Sequence, residues 1–517
     1  MLCARGLKRR SINVGRKLLA NERVHERDDA IKSGDDQDIC KNDRKSKAGS
    51  RTKEEEMKGQ LVETLSTTVN HYFPKFNEWL RRLTDERNQG AVRYERQTIF
   101  WTALILMLTK RGSRKKITDE MGGEHFYENV RILSGQEDLE RMPHGDTVEY
   151  LCMRLKEEEL EEIEVKMIRS LLRSRALERY RLSQRYHTIA IDGCHVHSFD
   201  YEHCKQCLVQ EDKNGNKRWF HMKLQASLVT PTGLCLGITS EWIENEQNYV
   251  KQDCELRAFY RMIKKIRRLY PRLPICVLLD ALYAGQPTFE LLTEERMQWI
   301  VVFKEGCMSH IYNWVMDVKR ECGSENVIEE TEEQEIEKRE RRSHEERLAR
   351  GATQNSKRVQ VKKTTYSWMA GIEYDEDRNK FNIMTCKEEV DGHKTCDYVW
   401  LVSDGLNLNE NTVKQLAQRG RCRWKIENEG INIQKNGGYQ LKHLYSKDEV
   451  SIKIWIKILD LAHLINQLIE KGSLINIKTI GSIRNIAQRM FEHFRYFTFQ
   501  KSSSPPRIQI RLTWDTS

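Results

Sequence analysis

The run ICVLLD, residues 275–280, constrains the fold more than any other stretch of this chain. An unbroken apolar run of this length reads as a strand covered on both faces, which requires helices above and below its sheet. The surrounding sequence supplies them. HTIAID (187–192) reads as a short buried strand ending in Asp192. In WFHMKLQASLVT (219–230), Met222, Leu224, Ala226 and Leu228 alternate with polar neighbours, and Pro231-Thr232-Gly233 turns into a third strand, LCLGITSEWI. Asp253 to Tyr270 has helical spacing with Arg and Lys on its outer side, and Pro271 and Pro274 end it. After ICVLLD come a helix over 287–297 and a strand WIVVF at 299–303. The order is an antiparallel three-strand meander, then helix, strand, helix, strand: a mixed α/β sheet flanked by helices.

The rest of the chain divides around this core. Residues 1–58 mix basic, acidic and small residues and read as a flexible basic arm. Residues 59–187 show helical spacing at Tyr72, Phe73, Phe76, Trp79 and Leu80, and again at Leu160, Ile163, Met167 and Leu171. Four cations in TKRGSRKKITDEM follow an apolar helix there, giving a helical domain with a basic edge. Residues 306–400 interrupt the core as a β-rich insertion with an exposed, loose or helical charged excursion, EETEEQEIEKRERRSHEERLARG. The core spans 188–305 and 401–475. A helix over 451–471, with Ile454, Ile458, Leu461 and Leu464 on its apolar face, is followed by a C-terminal helix and tail over 476–517.

Composition narrows the function classes. A formal net charge of +10 favours a polyanionic partner, although 77 acidic residues exclude a simple basic tail protein. Fourteen scattered cysteines do not form a secreted disulfide framework. No apolar segment suits a signal peptide, and the longest apolar run, 98–108, is too short to span a bilayer. The expectation is a cytoplasmic protein, nucleoid-associated if bacterial, with no membrane partner.

Three carboxylates occupy special positions. Asp192 and Asp280 end strands, and Glu427 lies on a helix over 411–436 that the Gly437-Gly438 pair stops. Arg423 precedes Glu427 by one turn and shares its face. Strand ends and an overlying helix converge in an open sheet, and three carboxylates there make an oxygen-rich site suited to hard divalent cations. Glu429 competes for the metal role but faces another side of the helix.

IDG at Asp192, LLDALYA at Asp280, the long insertion and RWKIE ending at Glu427 together resemble the DDE transposases of bacterial insertion sequences, in the branch with a β-strand insertion between the second Asp and the Glu. The resemblance covers roughly residues 140–470. It implies a ribonuclease H-like fold, two Mg²⁺ (or Mn²⁺) ions held by Asp192, Asp280 and Glu427, and cut-and-paste strand transfer through a hairpin intermediate. It also implies double-stranded ends with terminal inverted repeats, a target DNA and a homodimer on DNA, with the helical region before 188 binding the ends. The family pattern of Tyr, two residues, Arg, three residues, Glu, six residues, Lys is matched at Arg423 and Glu427, which makes Arg423 a phosphate-holding residue. Gly420 stands at the Tyr position and Gln434 at the Lys position; either the adjacent Lys435 takes the phosphate contact or that contact is weaker. Trp400 falls where the family places a tryptophan that stacks on a flipped base; it also reads as a core tryptophan, with Trp368 as a substitute.

Two other functions fit the same residues: a transposase-derived DNA-binding protein without catalysis, and a ribonuclease H-like nuclease of repair or recombination. Cys204 and Cys207 form a lone CxxC near His195, His197 and His203, which favours reduced structural thiols over zinc. His221 reads as a satisfied sheet histidine, and Asp253 as the N-cap of its helix.

Overall fold

The computed structural model describes residues 61–246, 249–321, 326–338, 356–374, 379–475, 483–500 and 510–512. All belong to one compact unit, Glu56–Ser517. The expected arm over 1–58, residues 339–355 of the charged excursion and its flank, and most of the tail after 500 lie outside the described residues.

A ten-stranded sheet organises the molecule. Its strands are β1 His187–Phe199, β2 Leu208–Glu211, β3 Lys217–Val229, β4 Cys235–Ile243, β5 Ile275–Leu279, β6 Gln298–Val302, β7 Val327–Lys338, β8 Ser356–Glu373, β9 Lys380–Val390 and β10 His393–Ser403. β1, β3 and β4 form the expected antiparallel meander, and β1, β5 and β6 run parallel. The order β4-β3-β1-β5-β6 is that of a ribonuclease H-like core. β2, which sequence periodicity does not reveal, pairs with the outer half of β3. β1 does not end at Asp192; it continues seven residues further along β3.

The insertion does not build a sheet of its own. β10 anneals antiparallel to β6, and β9, β8 and β7 follow in turn, so the core sheet continues through them and the edge of β6 is covered. β7 corrects the expectation of a loose or helical charged run: VIEETEEQEIEK is a strand. Its acidic side chains meet cations across the ladder, as in Glu329 with Lys363 at 2.9 Å. Opposite charges on paired strands make an acidic strand tenable.

Alternation along the strands assigns the two faces. Asp192, Cys194, Lys223, Gln225, Leu278 and, by extension of the register, Asp280 lie on one face; Ile191, Gly193 and Leu224 lie on the other. The first face carries helix Glu449–Glu470, where Lys223 Nζ reaches Asp460 at 2.7 Å. The second carries helices Glu255–Leu269 and Gln286–Glu294, with Phe289 stacked on Trp299 at 4.2 Å.

Helix Glu449–Glu470 has no single apolar face; it is buried on all sides from Ile454 onward. The N-terminal helices close over it. Helix Arg96–Leu108, itself buried from Gln97, meets it where Asn466 Nδ2 donates to the Leu108 carbonyl at 3.1 Å. Glu149, on helix Gly145–Cys152, accepts from Ser446, Ser451 and the Trp455 indole. Lys457, within the helix, pairs with Glu164 at 3.0 Å. The C-terminal helix Ile483–Tyr496 packs on helix Glu124–Ser134 through Phe494 stacked on Phe126. Among the described residues no helix is long and apolar enough to cross a membrane.

Candidate functional site

Register brings the two aspartates together. Ala190 pairs with Leu278 in the parallel β1–β5 ladder, so Asp192 and Asp280 stand level on neighbouring strands and on the same face. Adjacent strands lie about 4.8 Å apart. At this point β1 leaves β5, and β5 gives way to a short 3-10 turn, Ala281–Tyr283. Asp280 caps that turn, its Oδ1 accepting from the Leu282 amide at 2.6 Å. Asp192 Oδ1 accepts from the Gly193 amide at 3.0 Å.

Glu427 comes from above. The expected helix over 411–436 is present as helix Val413–Arg421, a turn at 422–423, a π-helical segment Ile426–Ile431 and helix Asn432–Asn436. Gly438, at φ +102°, ends it. Arg423 links the acids: Nη2 contacts Glu427 Oε1 at 2.8 Å, and Nη1 lies 3.9 Å from Asp192 Oδ2. Arg423 is 3 % exposed and lies under the Trp424 ring. Its contacts in this structure are to carboxylates, and its Nε and Nη1 are buried without a hydrogen-bond partner.

A fourth carboxylate, Glu255, escaped the sequence reading. It opens helix Glu255–Leu269 on the opposite face of the sheet and accepts from the Tyr283 hydroxyl at 2.7 Å. Gly193 makes its approach possible, since a Cβ there would fall 2.6 Å from Glu255 Oε2. Asp253, expected to cap this helix, instead pairs with Arg261 at 2.7 Å. A first-turn glutamate is so ordinary in helices that sequence offers no cue to Glu255.

The electrostatics follow from this crowding. Burial first, then Glu427, push the Asp192 carboxyl up to about 7; Arg423 opposes them and Glu255 adds to the rise. Asp192, Asp280 and Glu427 offer carboxylate oxygens, the ligand type that suits a hard divalent cation. Convergence is partial: among the described residues the one group of three or more metal-ligating side chains with all ligand atoms within 4.8 Å of one another is not the acidic one. Asp280 is engaged with its own turn and Glu427 with Arg423, which keeps like charges apart.

The two departures from the family pattern have structural causes. Trp400 is on the same face as the aspartates but 1 % exposed, stacked on Tyr398 beneath Gly420. A Cβ at position 420 would fall 2.7 Å from its ring, so a tyrosine there and this tryptophan exclude each other. Trp400 and Trp368 are both buried in this structure. Trp424, beside Glu427 and 43 % exposed, is the aromatic that faces outward. Gln434 is buried, with its amide donating to Asp460 at 3.0 Å, so the buried Lys223 supplies the cation under this helix. The π-helical segment adds a residue to the turn between Glu427 and this point. Lys435, the next residue, is half-buried; burial pushes the Cys194 thiol on β1 up, with Lys223 and Lys435 opposing.

Beside this helix a cleft of about 1280 Å³ opens toward the insertion, with Lys362, Lys414, Arg421, Trp424 and Lys425 among its walls. Glu330, Glu332 and Glu333 line its far side.

Cys204 and Cys207 are free thiols. His221 on β3 meets both: its Nε2 lies 3.7 Å from Cys204 Sγ and 3.5 Å from Cys207 Sγ.

No family model matches the sequence, and no curated protein matches it. Among solved structures the chain is similar to a piggyBac transposase, solved by cryo-electron microscopy as a synaptic complex with hairpin DNA. The TM-score is 0.37 at 9 % identity, over 85 % of this chain and 81 % of that one. A likeness of that size provides no correspondence between residues.

Proposed function

We propose that this chain is a divalent-metal-dependent DNA transposase of the DDE type, with Asp192, Asp280 and Glu427 as its metal-binding carboxylates. The observation that carries the reading is the level placement of Asp192 and Asp280 on adjacent parallel strands, with Glu427 tied to Asp192 through Arg423. The RWKIE sequence and the insertion preceding it favour the insertion-sequence branch, with a hairpin intermediate, terminal inverted repeats and a homodimer on DNA.

Two Mg²⁺ or Mn²⁺ ions, when bound, would supply activation of a nucleophile and stabilisation of the leaving oxygen. The protein's own part is separable. Asp192, its carboxyl pushed up to about 7 by burial and by Glu427, would give up its proton on binding a cation. Arg423 fixes the Glu427 side chain from below, and Tyr283 fixes Glu255. Lys435, Lys425 and Arg421 provide exposed or half-exposed positive charge along the same helix for backbone phosphates, and Trp424 offers a ring for an unstacked base.

Strand joining tests the class. Duplex DNA carrying the sequences that flank the gene, incubated with the full chain and Mg²⁺, should give cleaved ends that then join to a second DNA. Release of ends without joining favours the nuclease reading; binding without any cleavage in Mg²⁺ or Mn²⁺ favours the non-catalytic one.

A further inference from the structure

Beyond the outer end of β1 lies a second cluster, unrelated to the carboxylates. After Phe199 the chain loops through residues 200–207, a stretch with exposed Tyr201 and charged neighbours and little apolar surface to hold it down. Four side chains converge there. We propose that His203, Cys204, Cys207 and His221 form a closed, structural zinc site.

The geometry is already that of a coordination shell. One ligand atom from each residue lies within 4.8 Å of all the others. The two sulfurs are 3.5 Å apart, and His221 Nε2 stands 3.7 and 3.5 Å from them. Zinc in a tetrahedral site, with bonds of about 2.3 Å to sulfur and about 2.0–2.1 Å to nitrogen, places sulfurs about 3.8 Å apart and sulfur and nitrogen about 3.6 Å apart. The hydrogen bonds select the ring nitrogens. His203 Nε2–H donates to the Lys447 carbonyl at 3.1 Å, so its lone pair is on Nδ1, a buried atom without a hydrogen-bond partner. His195 and His197, nearer in sequence to the CxxC than His221 is, are not part of the cluster.

The surroundings hold the ligands in place. Phe199 stacks on the His203 ring at 4.4 Å, and the His203 and His221 rings meet edge to face at 5.6 Å. Asn245 donates through Nδ2 to the Cys207 carbonyl at 2.8 Å. Two thiolates cancel the charge of the ion, and two neutral imidazoles complete it, so a buried site carries no net charge. With all four positions filled by protein no place remains for substrate, which makes the site structural. It would tie the β1–β2 loop to β3 and, through the Lys447 carbonyl, to the start of helix Glu449–Glu470, whose N-cap is Asp448.

The test uses the full chain purified under reducing conditions without chelator. Elemental analysis should find one zinc per chain, and exchange with Co²⁺ should give the visible spectrum of a tetrahedral ion with two thiolate ligands. The double variant Cys204→Ser/Cys207→Ser should fall to background zinc, while Asp192→Asn keeps full zinc whatever its effect on DNA. The proposal is overturned if the wild-type chain binds no Co²⁺ through thiolate, if the double variant retains zinc, or if the two cysteines are recovered as a disulfide. The cobalt spectrum is read on the wild type, so it decides the matter even if the double variant does not fold.

Discussion

Two clusters of side chains with potential metal-ligand atoms lie near β1, one about Asp192 and one in the loop that follows Phe199, and they contrast in chemistry, exposure and order. Around Asp192 the donors are carboxylate oxygens, half-buried, and turned to their own local partners: Asp280 to an amide, Glu427 to Arg423, Glu255 to Tyr283. Beyond the outer end of the strand the donors are thiols and imidazoles; the two sulfurs and His221 Nε2 stand 3.5 to 3.7 Å apart, with His203 within 4.8 Å of them. Like-charged oxygens repel until a cation joins them, whereas neutral thiols and imidazoles can pack together beforehand. A site meant to admit substrate is kept open and oxygen-rich; one that staples a loop is closed and soft.

The largest effect should separate the two clusters outright. Asp192→Asn or Glu427→Gln should lower metal-dependent strand cleavage by a factor on the order of 10²–10³, without changing zinc content or melting temperature by more than a few degrees. Loss of zinc in these variants would merge the clusters into one cooperative site and break the comparison.

Beneath the acidic cluster, Lys223 is fully buried against Asp460. Lys223→Met strands that carboxylate and should cost about 3–5 kcal/mol in denaturant unfolding. An unchanged midpoint would show that the acidic face does not depend on this buried charge.

Glu470 is a buried carboxylate belonging to neither cluster, pushed up to about 7 by burial against the opposing influence of Lys110 and Lys471. Because its folded pKa lies above its unfolded one, the folded state binds more protons between about pH 4.5 and 7, and its contribution to stability falls as pH rises through that window. Glu470→Gln should therefore raise stability at pH 8 by on the order of 2 kcal/mol and change little at pH 4. Neither Mg²⁺ nor zinc should alter that difference.

Gly420→Tyr restores the aromatic of the family pattern but collides with Trp400, so it should destabilise by about 1–3 kcal/mol. Trp400→Ala in the same chain should recover part of the loss; no recovery would mean that something other than the ring forbids tyrosine there.

The smallest effect is on the helix carrying Glu427. Lys435→Ala should weaken DNA binding several-fold and lower the salt slope by about 1, whereas Gln434→Ala should change stability and leave the slope alone. The reverse pattern would show that Lys435 is not among the phosphate contacts.

The strand order was legible because apolar runs mark buried strands wherever they fall, and Asp192 and Asp280 interrupt two of them. The pairing of Arg423 with Glu427 was legible through their one-turn spacing. Contacts made across the fold were not. His221 meets Cys204 and Cys207 from another strand, and nothing in WFHMKLQ distinguishes it from a sheet histidine. Trp400 and Gly420 are coupled only through packing. β7 defeats a reading by local charge because its partners lie on β8, 18 to 40 residues on. The burial of Lys457 and Asp460 on a helix enclosed from every side is a property of its neighbours rather than of its own periodicity.

Electron paramagnetic resonance of Mn²⁺ tests the central claim most directly, with the zinc-loaded full chain bound to DNA carrying the gene's flanking sequence. Two ions held by Asp192, Asp280 and Glu427 should give the spectrum of a magnetically coupled manganese pair, and Asp192→Asn should abolish it. A wild-type chain that binds no manganese on that DNA, or an Asp192→Asn chain that keeps the coupled pair, would contradict the account.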